Sequence, residues 1–379
     1  IFMKSYYPFE DTRPYNDDEI PAAVERVLAS PYLASVFQYL FPNEDIESFK
    51  AHFSQIKTIR DFQHQFMYHA MQSIIEQTIS EISSAGIEKL DDNKKCMFVS
   101  NHRDILMDSA LLQVFLNKFN FDTCEITFGS NLMRGQFVID IGKMNKMFKI
   151  VRGGNIRDFY NNSMEVSQYM RYAITEKKQS TWIAQRNGRT KNGIDKTEPA
   201  LLKMFAMSSQ KPFVENFLEL NVTPVSISYE YEPCDFLKTR ELYISLYQKY
   251  EKTADEDLNS ILHGIKQYKG KVHLTVCDSI NENDLKECDQ LEKNMKFNHL
   301  ANIMDLRIYK NYKLWKTNYI AYDTLHQTQQ FNAFYNEQEK SEFQNYMENG
   351  LKAIDGNKDE LQTIFLEIYA NPVKSVLQL

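Results

Sequence analysis

Cysteine is scarce in this chain of 379 residues. The five present, Cys96, Cys124, Cys234, Cys277 and Cys288, are odd in number, scattered, and never in a CxxC or Cys/His spacing. That pattern excludes a disulfide framework and a zinc site of the usual kind, and leaves reduced, mostly buried thiols. No metal is expected. Long apolar runs are also missing, since none comes close to the roughly 18–20 residues that span a bilayer. The start, Ile1-Phe2-Met3-Lys4-Ser5, lacks the apolar core and cleavage site of a signal peptide. The expectation is a cytoplasmic protein, with peripheral attachment to the inner face of the cytoplasmic membrane as the alternative. Internal repeats and low-complexity linkers are absent. What the chain has in quantity is apolar and aromatic side chains, 43% and 13% of residues, the composition of an ordered globular protein with room for more than one domain.

The net charge of -7 hides an asymmetry. Residues 1–90 carry 7 basic and 13 acidic side chains, whereas residues 143–211 carry 14 basic against 5 acidic. Such a segment suits phosphate, an anionic membrane surface, an acidic carrier protein or nucleic acid, although charge runs in general are more often a solvated face. The basic residues cluster around turns and not along an aromatic-studded platform, so nucleic acid is not the expected partner.

Three regions separate by pattern. Residues 1–90 form an acidic N-terminal helical domain, with apolar residues every three or four positions from Ala22 to Phe41 and from Phe62 to Ile87. Residues 91–285 alternate short β-rich runs with helical stretches. The expected strands are Met97 to Ser100, Glu125 to Gly129, Lys149 to Arg152, Ser180 to Ala184, Val222 to Tyr229 and Lys271 to Val276. Helices are expected near Asp108 to Lys118, Asn161 to Glu176 and Thr197 to Ser208. Strands alternating with helices predict an α/β fold: a mostly parallel central sheet with helices on both faces. Residues 286–379 form a C-terminal helical region packing on that domain, with a last helix from about Glu337 to Ala353.

Chemistry concentrates in two strings. The first, Asn101-His102-Arg103-Asp104-Ile105-Leu106-Met107-Asp108, follows the strand Met97 to Ser100 and leads into a helix. A strand-to-helix junction aims polar groups at the open edge of a sheet, where α/β folds bind ligands. His102 suits a general base, and a carboxylate on its other nitrogen would fix the tautomer and stabilise the imidazolium. Asp108 and Asp104 are both candidates. Whichever is not the partner would cap the helix start.

The second string, Trp182-Ile183-Ala184-Gln185-Arg186-Asn187-Gly188-Arg189-Thr190-Lys191, ends a strand in a glycine turn with three cations. Turn N–H groups and guanidinium forks together make a phosphate site, and a solvated surface turn is the plain alternative. Between the two strings, Phe148 to Gly154 is a strand ending in Arg152-Gly153-Gly154, another cation at the same expected edge. Lys143 to Lys149 is the candidate for a membrane-surface contact, set against a loop that buries Met147 and Phe148.

Taken in order, Asn-His with a downstream Asp, a strand ending in Arg152, the Gly188-Arg189 turn and Val222-Thr223-Pro224-Val225-Ser226-Ile227-Ser228-Tyr229-Glu230 resemble the four motif blocks of the glycerolipid acyltransferase family. That family includes glycerol-3-phosphate and lysophosphatidic acid acyltransferases. The resemblance covers about residues 95–280, and within it the Pro224 to Glu230 string leans toward the glycerol-3-phosphate branch. It implies that His102 takes the proton from an acceptor hydroxyl, which attacks an acyl thioester directly, with no covalent acyl-enzyme. An aspartate of the first block would orient His102, Asp108 being favoured over Asp104 because the Ser109-Ala110-Leu111-Leu112 that follows it fits the family's apolar helix after the acid. Arg152 and Arg189, with Gly188, would hold the acceptor phosphate, and Pro224 would be the fourth block's proline. Arg186 and Lys191 remain alternatives to Arg189. Asn187 stands where the third block carries Glu, and an amide there can hydrogen-bond but not supply charge.

The implied partners are an acyl thioester donor, acyl-CoA or acyl carrier protein, and a phosphorylated glycerol or lysolipid acceptor. No cofactor beyond the donor is implied. Two other readings stay open: acylation of another hydroxylated lipid such as an aminolipid, and a non-catalytic lipid or phosphate binder.

Overall fold

The computed structural model describes residues 9–151, 153–253 and 255–379. Seven strands form one sheet: β1 (Ile79–Ala85), β2 (Met97–Ser100), β3 (Glu125–Gly129), β4 (Met147–Ile150), β5 (Thr181–Ala184), β6 (Val222–Tyr229) and β7 (Gly270–Val276). Their order across the sheet is β1-β7-β6-β2-β5-β3-β4. Every neighbouring pair is parallel except β6 with β7. The protein is therefore α/β, with a mostly parallel sheet.

Side chains in β2 and β6 are buried along their whole length, the mark of central strands covered on both faces. In β2, Phe98 points into one core while Met97 and Val99 point into the other, as the two-residue period of a strand requires. Helices Tyr68–Thr78 and Met107–Lys118 supply Met71, Ile74, Leu111 and Phe115 to the first core. On the opposite face, helices Ile156–Thr175, Pro199–Ala206, Phe213–Leu220 and Met295–Lys310 supply Tyr169, Phe205, Phe217 and Leu300 to the second.

Helices Ile20–Leu28, Leu33–Leu40 and Ile46–Phe53 form a cap with its own aromatic core, in which Phe37, Phe53, Phe62 and Phe66 meet. A buried carboxylate fastens the cap: Asp140, on helix Gln136–Met144, accepts from Arg26 Nη2 at 2.7 Å and from the Tyr15 hydroxyl at 2.7 Å. At the other end of the chain, helices Lys316–His326, Glu337–Leu351 and Lys358–Leu377 close around Ile320, Phe343, Phe365 and Tyr369. Among the described residues no helix is long and apolar enough to cross a membrane.

Four details differ from the sequence reading. Residues 79–85 are not helical but form β1, so the chain enters the sheet before residue 91. Ile79 and Ile82 continue the spacing of the preceding helix, yet Thr78 hands its side-chain hydroxyl to the Ile74 carbonyl and the β-branched and serine-rich run beyond it extends to pair with β7. The fourth strand runs Met147–Ile150, earlier than Lys149 to Arg152. Phe148 is wholly buried in it, so the run Met147 to Lys149 is a strand of the sheet and not a loop. Finally, Glu337–Leu351 is not the last helix. Asn357 caps a further one, accepting from the N–H groups of Asp359 and Glu360.

Candidate functional site

β2 ends at Ser100, and the next two residues are locked before the helix begins. Asn101 is fully buried and clamps β6: its Nδ2 donates to the Ile227 carbonyl at 2.9 Å, and its Oδ1 accepts the Ile227 N–H at 2.8 Å. His102 then stands at the carboxyl edge of the sheet. Its Nδ1 lies 3.0 Å from Asp108 Oδ2. A carboxylate can only accept there, so Nδ1 carries a proton, and in the neutral imidazole the lone pair is on Nε2. Asp108 is itself held by three more donors: the Arg103 N–H at 2.7 Å and the Asp104 N–H at 2.9 Å on Oδ2, and the Tyr229 hydroxyl at 2.7 Å on Oδ1. Burial, and then the facing Asp108 carboxylate, raise the Tyr229 phenol well above its ordinary pKa, so it serves as a donor. Asp104 takes the other role. Its Oδ1 accepts from the N–H groups of Leu106 and Met107 at 2.9 and 2.8 Å, capping the helix Met107–Lys118.

Arg103, between His102 and Asp104, is buried in an ion network. It donates from Nη2 to Asp195 Oδ2 at 2.8 Å and from Nη1 to Glu232 Oε2 at 3.1 Å. Lys238 Nζ bridges Glu232 Oε1 at 2.5 Å and the Arg103 carbonyl at 2.8 Å. Two cations meet two anions with almost no exposure. Breaking such a set leaves an uncompensated buried charge, a penalty of roughly 3–5 kcal/mol. The loop that carries His102 is thereby fixed from behind.

The glycine turn after β5 closes on the same loop. The Thr190 N–H donates to the His102 carbonyl at 2.6 Å. Gly188 turns the chain with φ +75°, a conformation side chains resist. Arg189 is nearly buried. Its Nη2 donates to Ser260 Oγ at 3.0 Å, while Nη1 has no hydrogen-bond partner among the described residues. His102, Gly188 and Arg189 line one cleft of about 540 Å³, together with Trp182, Lys252 and Asp257. Its floor is the carboxyl ends of β2, β5 and β3. Arg189 also borders a second groove of about 1370 Å³, walled by Arg240, Lys249 and Tyr250.

The remaining sequence candidates fall outside the cleft wall. Asn187 is exposed and Arg186 half-buried beside it. Lys191 touches Glu241. Burial, with Lys252 and Arg189 nearby, pushes its pKa down to about 8. Arg152 lies outside the described residues. Tyr229, Asp195, Glu232, Lys238 and Ser260 did not emerge as site residues from the sequence. Only Tyr229 had a signal there, as the alternate position that shares a face with Val225 and Ile227. Among the described residues no group of three or more His, Cys, Asp or Glu is placed to hold a metal.

An apolar cavity of about 140 Å³ lies beside the cleft, between the cap and the helix Met107–Lys118. Leu40, Phe66, Met71, Ile74, Leu106 and Met147 are among its walls. Ile105 borders the cleft and the next residue, Leu106, borders the cavity.

No protein-family model and no curated protein matches the chain. Among solved structures it is similar to the crystal structure of the 1-acyl-sn-glycerophosphate (LPA) acyltransferase PlsC from Thermotoga maritima, with a TM-score of 0.39 and 13% identity over 76% of this chain and 92% of that one.

Proposed function

We propose that the protein is an O-acyltransferase. It moves a fatty acyl group from an acyl thioester, acyl-CoA or acyl carrier protein, to a hydroxyl of glycerol 3-phosphate or a lysophospholipid. The observation that carries this reading is the pairing of His102 Nδ1 with Asp108, beside a cleft that His102 and Arg189 both line.

The chemistry is built on those atoms. Arg189 takes the acceptor phosphate, since a guanidinium with a free N–H matches a phosphate oxygen. The bound acceptor presents its hydroxyl to His102 Nε2, which removes the proton as the oxygen attacks the thioester carbonyl. Asp108 stabilises the imidazolium. The carbon–sulfur bond then breaks, the thiolate leaves, and the imidazolium returns its proton to the sulfur. Holding acceptor and base in contact replaces a collision between dilute reactants. The apolar cavity beside Ile105 and Leu106 suits the acyl chain, and the two openings flanking Arg189 give acceptor and donor separate approaches.

The test is incubation with labelled acyl-CoA or acyl carrier protein thioester and a panel of acceptors. Labelled lysophosphatidate from glycerol 3-phosphate, or labelled phosphatidate from a lysolipid, is the expected product. Thioester that stays intact with every acceptor would overturn the reading.

A further inference from the structure

The parallel strand β4 ends beside β3, with Ile150 in register with Gly129, a residue of the His102 cleft wall. The chain leaving β4 therefore emerges at the same sheet edge as the cleft. The segment beyond β4 is unusually apolar for a surface. Val151 is 39% exposed, Ile156 91%, Phe159 65% and Tyr160 56%. Ile156, Phe159 and Tyr160 sit at i, i+3 and i+4 of the helix Ile156–Thr175, on one face. Every residue from Asn155 to Asn161 is exposed, and burial begins only at Val166. The first turn and a half of this helix projects from the body of the protein with no partner of its own among the described residues.

We infer that this projecting turn is a docking surface for an anionic lipid bilayer, set so that the His102 cleft opens toward the membrane. Three observations favour that occupant. The helix start is already satisfied: Asn155 Oδ1 accepts from the N–H groups of Arg157 and Asp158, and Asp158 Oδ2 accepts the Asn155 N–H. A capped end can enter the low-dielectric headgroup boundary without stranding backbone donors. The side chains are the right ones, two bulky apolar groups with a tyrosine whose hydroxyl stays at headgroup level. The flanking charge is positive. Residues 143–160 hold five basic residues against one acidic. While Lys146 donates inward to the Thr123 carbonyl, Lys149 and Arg157 make no side-chain hydrogen bond or ion pair among the described residues. Docking rests on this surface alone. Its use, delivery of a membrane-dissolved lysolipid to His102, rests on the acyl-transfer reading.

The experiment is co-sedimentation with vesicles of phosphatidylcholine containing phosphatidylglycerol, for the wild type, His102→Ala and the triple variant Ile156→Ser/Phe159→Ser/Tyr160→Ser. The wild type and His102→Ala are expected to bind alike, more weakly to pure phosphatidylcholine, and the triple variant with affinity lower by about tenfold or more. In a second readout, Phe159→Trp fluorescence is expected to be quenched by brominated lipids. Unchanged binding by the triple variant, unquenched Trp emission, or a wild type that stays in the supernatant would overturn the inference. So would a wild-type dimer that the triple variant dissolves, since a second copy would then cover the patch. Normal vesicle binding without acyl transfer to any acceptor would remove the catalytic reading and leave the docking surface standing.

Discussion

At the scale of single residues, the account turns on two aspartates four positions apart. Both lie within reach of His102 along the chain, and the resemblance only favours Asp108, because the loop's path decides which carboxylate turns back. Asp108 does, gathering His102, two backbone N–H groups and Tyr229, whereas Asp104 turns to the helix start. The two should therefore separate by phenotype. Asp108→Asn is expected to lower the rate of acyl transfer by about 10²–10⁴-fold, since it removes the acceptor that orients the base. Asp104→Ala is expected to cost about 1 kcal/mol of stability through the cap, with transfer largely kept. Steady-state kinetics and a denaturant melt on each variant check this.

Arg189 makes a second residue-scale test. Arg189→Met should raise KM for a phosphorylated acceptor by about 10–100-fold, the worth of a charge-assisted hydrogen bond, and leave a phosphate-free acceptor untouched. Equal effects on both acceptors would take the phosphate role from it. His102 and Arg189 were legible in the sequence because each follows a short apolar strand. Ser260 was not, because it reaches the site from a segment far along the chain that carries no motif, and Asp195 was not, because nothing in the turn after Arg189 shows that its carboxylate folds back onto Arg103.

At the scale of elements, strands bounded by sharp changes in polarity were legible. Met97–Ser100, Glu125–Gly129 and Val222–Tyr229 have the expected ends. β1 escaped because it is an edge strand with half-exposed serines and an exposed Glu81, so it lacks both alternation and a continuous apolar run. The final helix, Lys358–Leu377, escaped for a different reason. It holds Pro372, which reads as a breaker, and its apolar residues are buried almost all round.

This helix also yields a pH prediction. The hydroxyls of Tyr369 and Tyr346 both donate to Asp235 Oδ2, joining it and the helix Glu337–Leu351 to the start of Asp235–Tyr247. Burial pushes the Asp235 carboxyl up from 3.8 to about 6. The folded chain thus holds this proton more tightly than the unfolded one. Its contribution to stability is fully present below about pH 4 and is lost as pH rises through about 6. Across that window the Tm of the wild type should fall relative to Asp235→Asn by roughly 2–4 °C for each kcal/mol lost. A constant Tm difference between the two from pH 4 to 7 would contradict the assignment.

At the scale of the whole molecule, part of the basic middle segment is spent on the fold. Arg171 pairs with Glu219, Lys177 with Glu125 and Lys191 with Glu241. The partners of the first two lie on either flank of the helix Ile156–Thr175. A charge excess counted along a sequence cannot show which cations find internal acids, because those acids come from distant elements. Among the described residues, the cations left without an acid include Arg189, which lines the cleft, and Lys149 and Arg157 at the projecting helix. The fold joins them by geometry, since the ends of β2, β3, β4 and β5 share one edge.

The central claim is that His102 Nε2 is the base for acyl transfer at that edge. The most direct measurement is the rate of labelled acyl transfer from acyl-CoA or acyl carrier protein to glycerol 3-phosphate and lysolipid acceptors, for the wild type and His102→Ala, with both shown to be folded by their melting curves. The account predicts transfer by the wild type and a rate lower by about 10²–10⁴-fold in His102→Ala. Equal rates in the two proteins would contradict it.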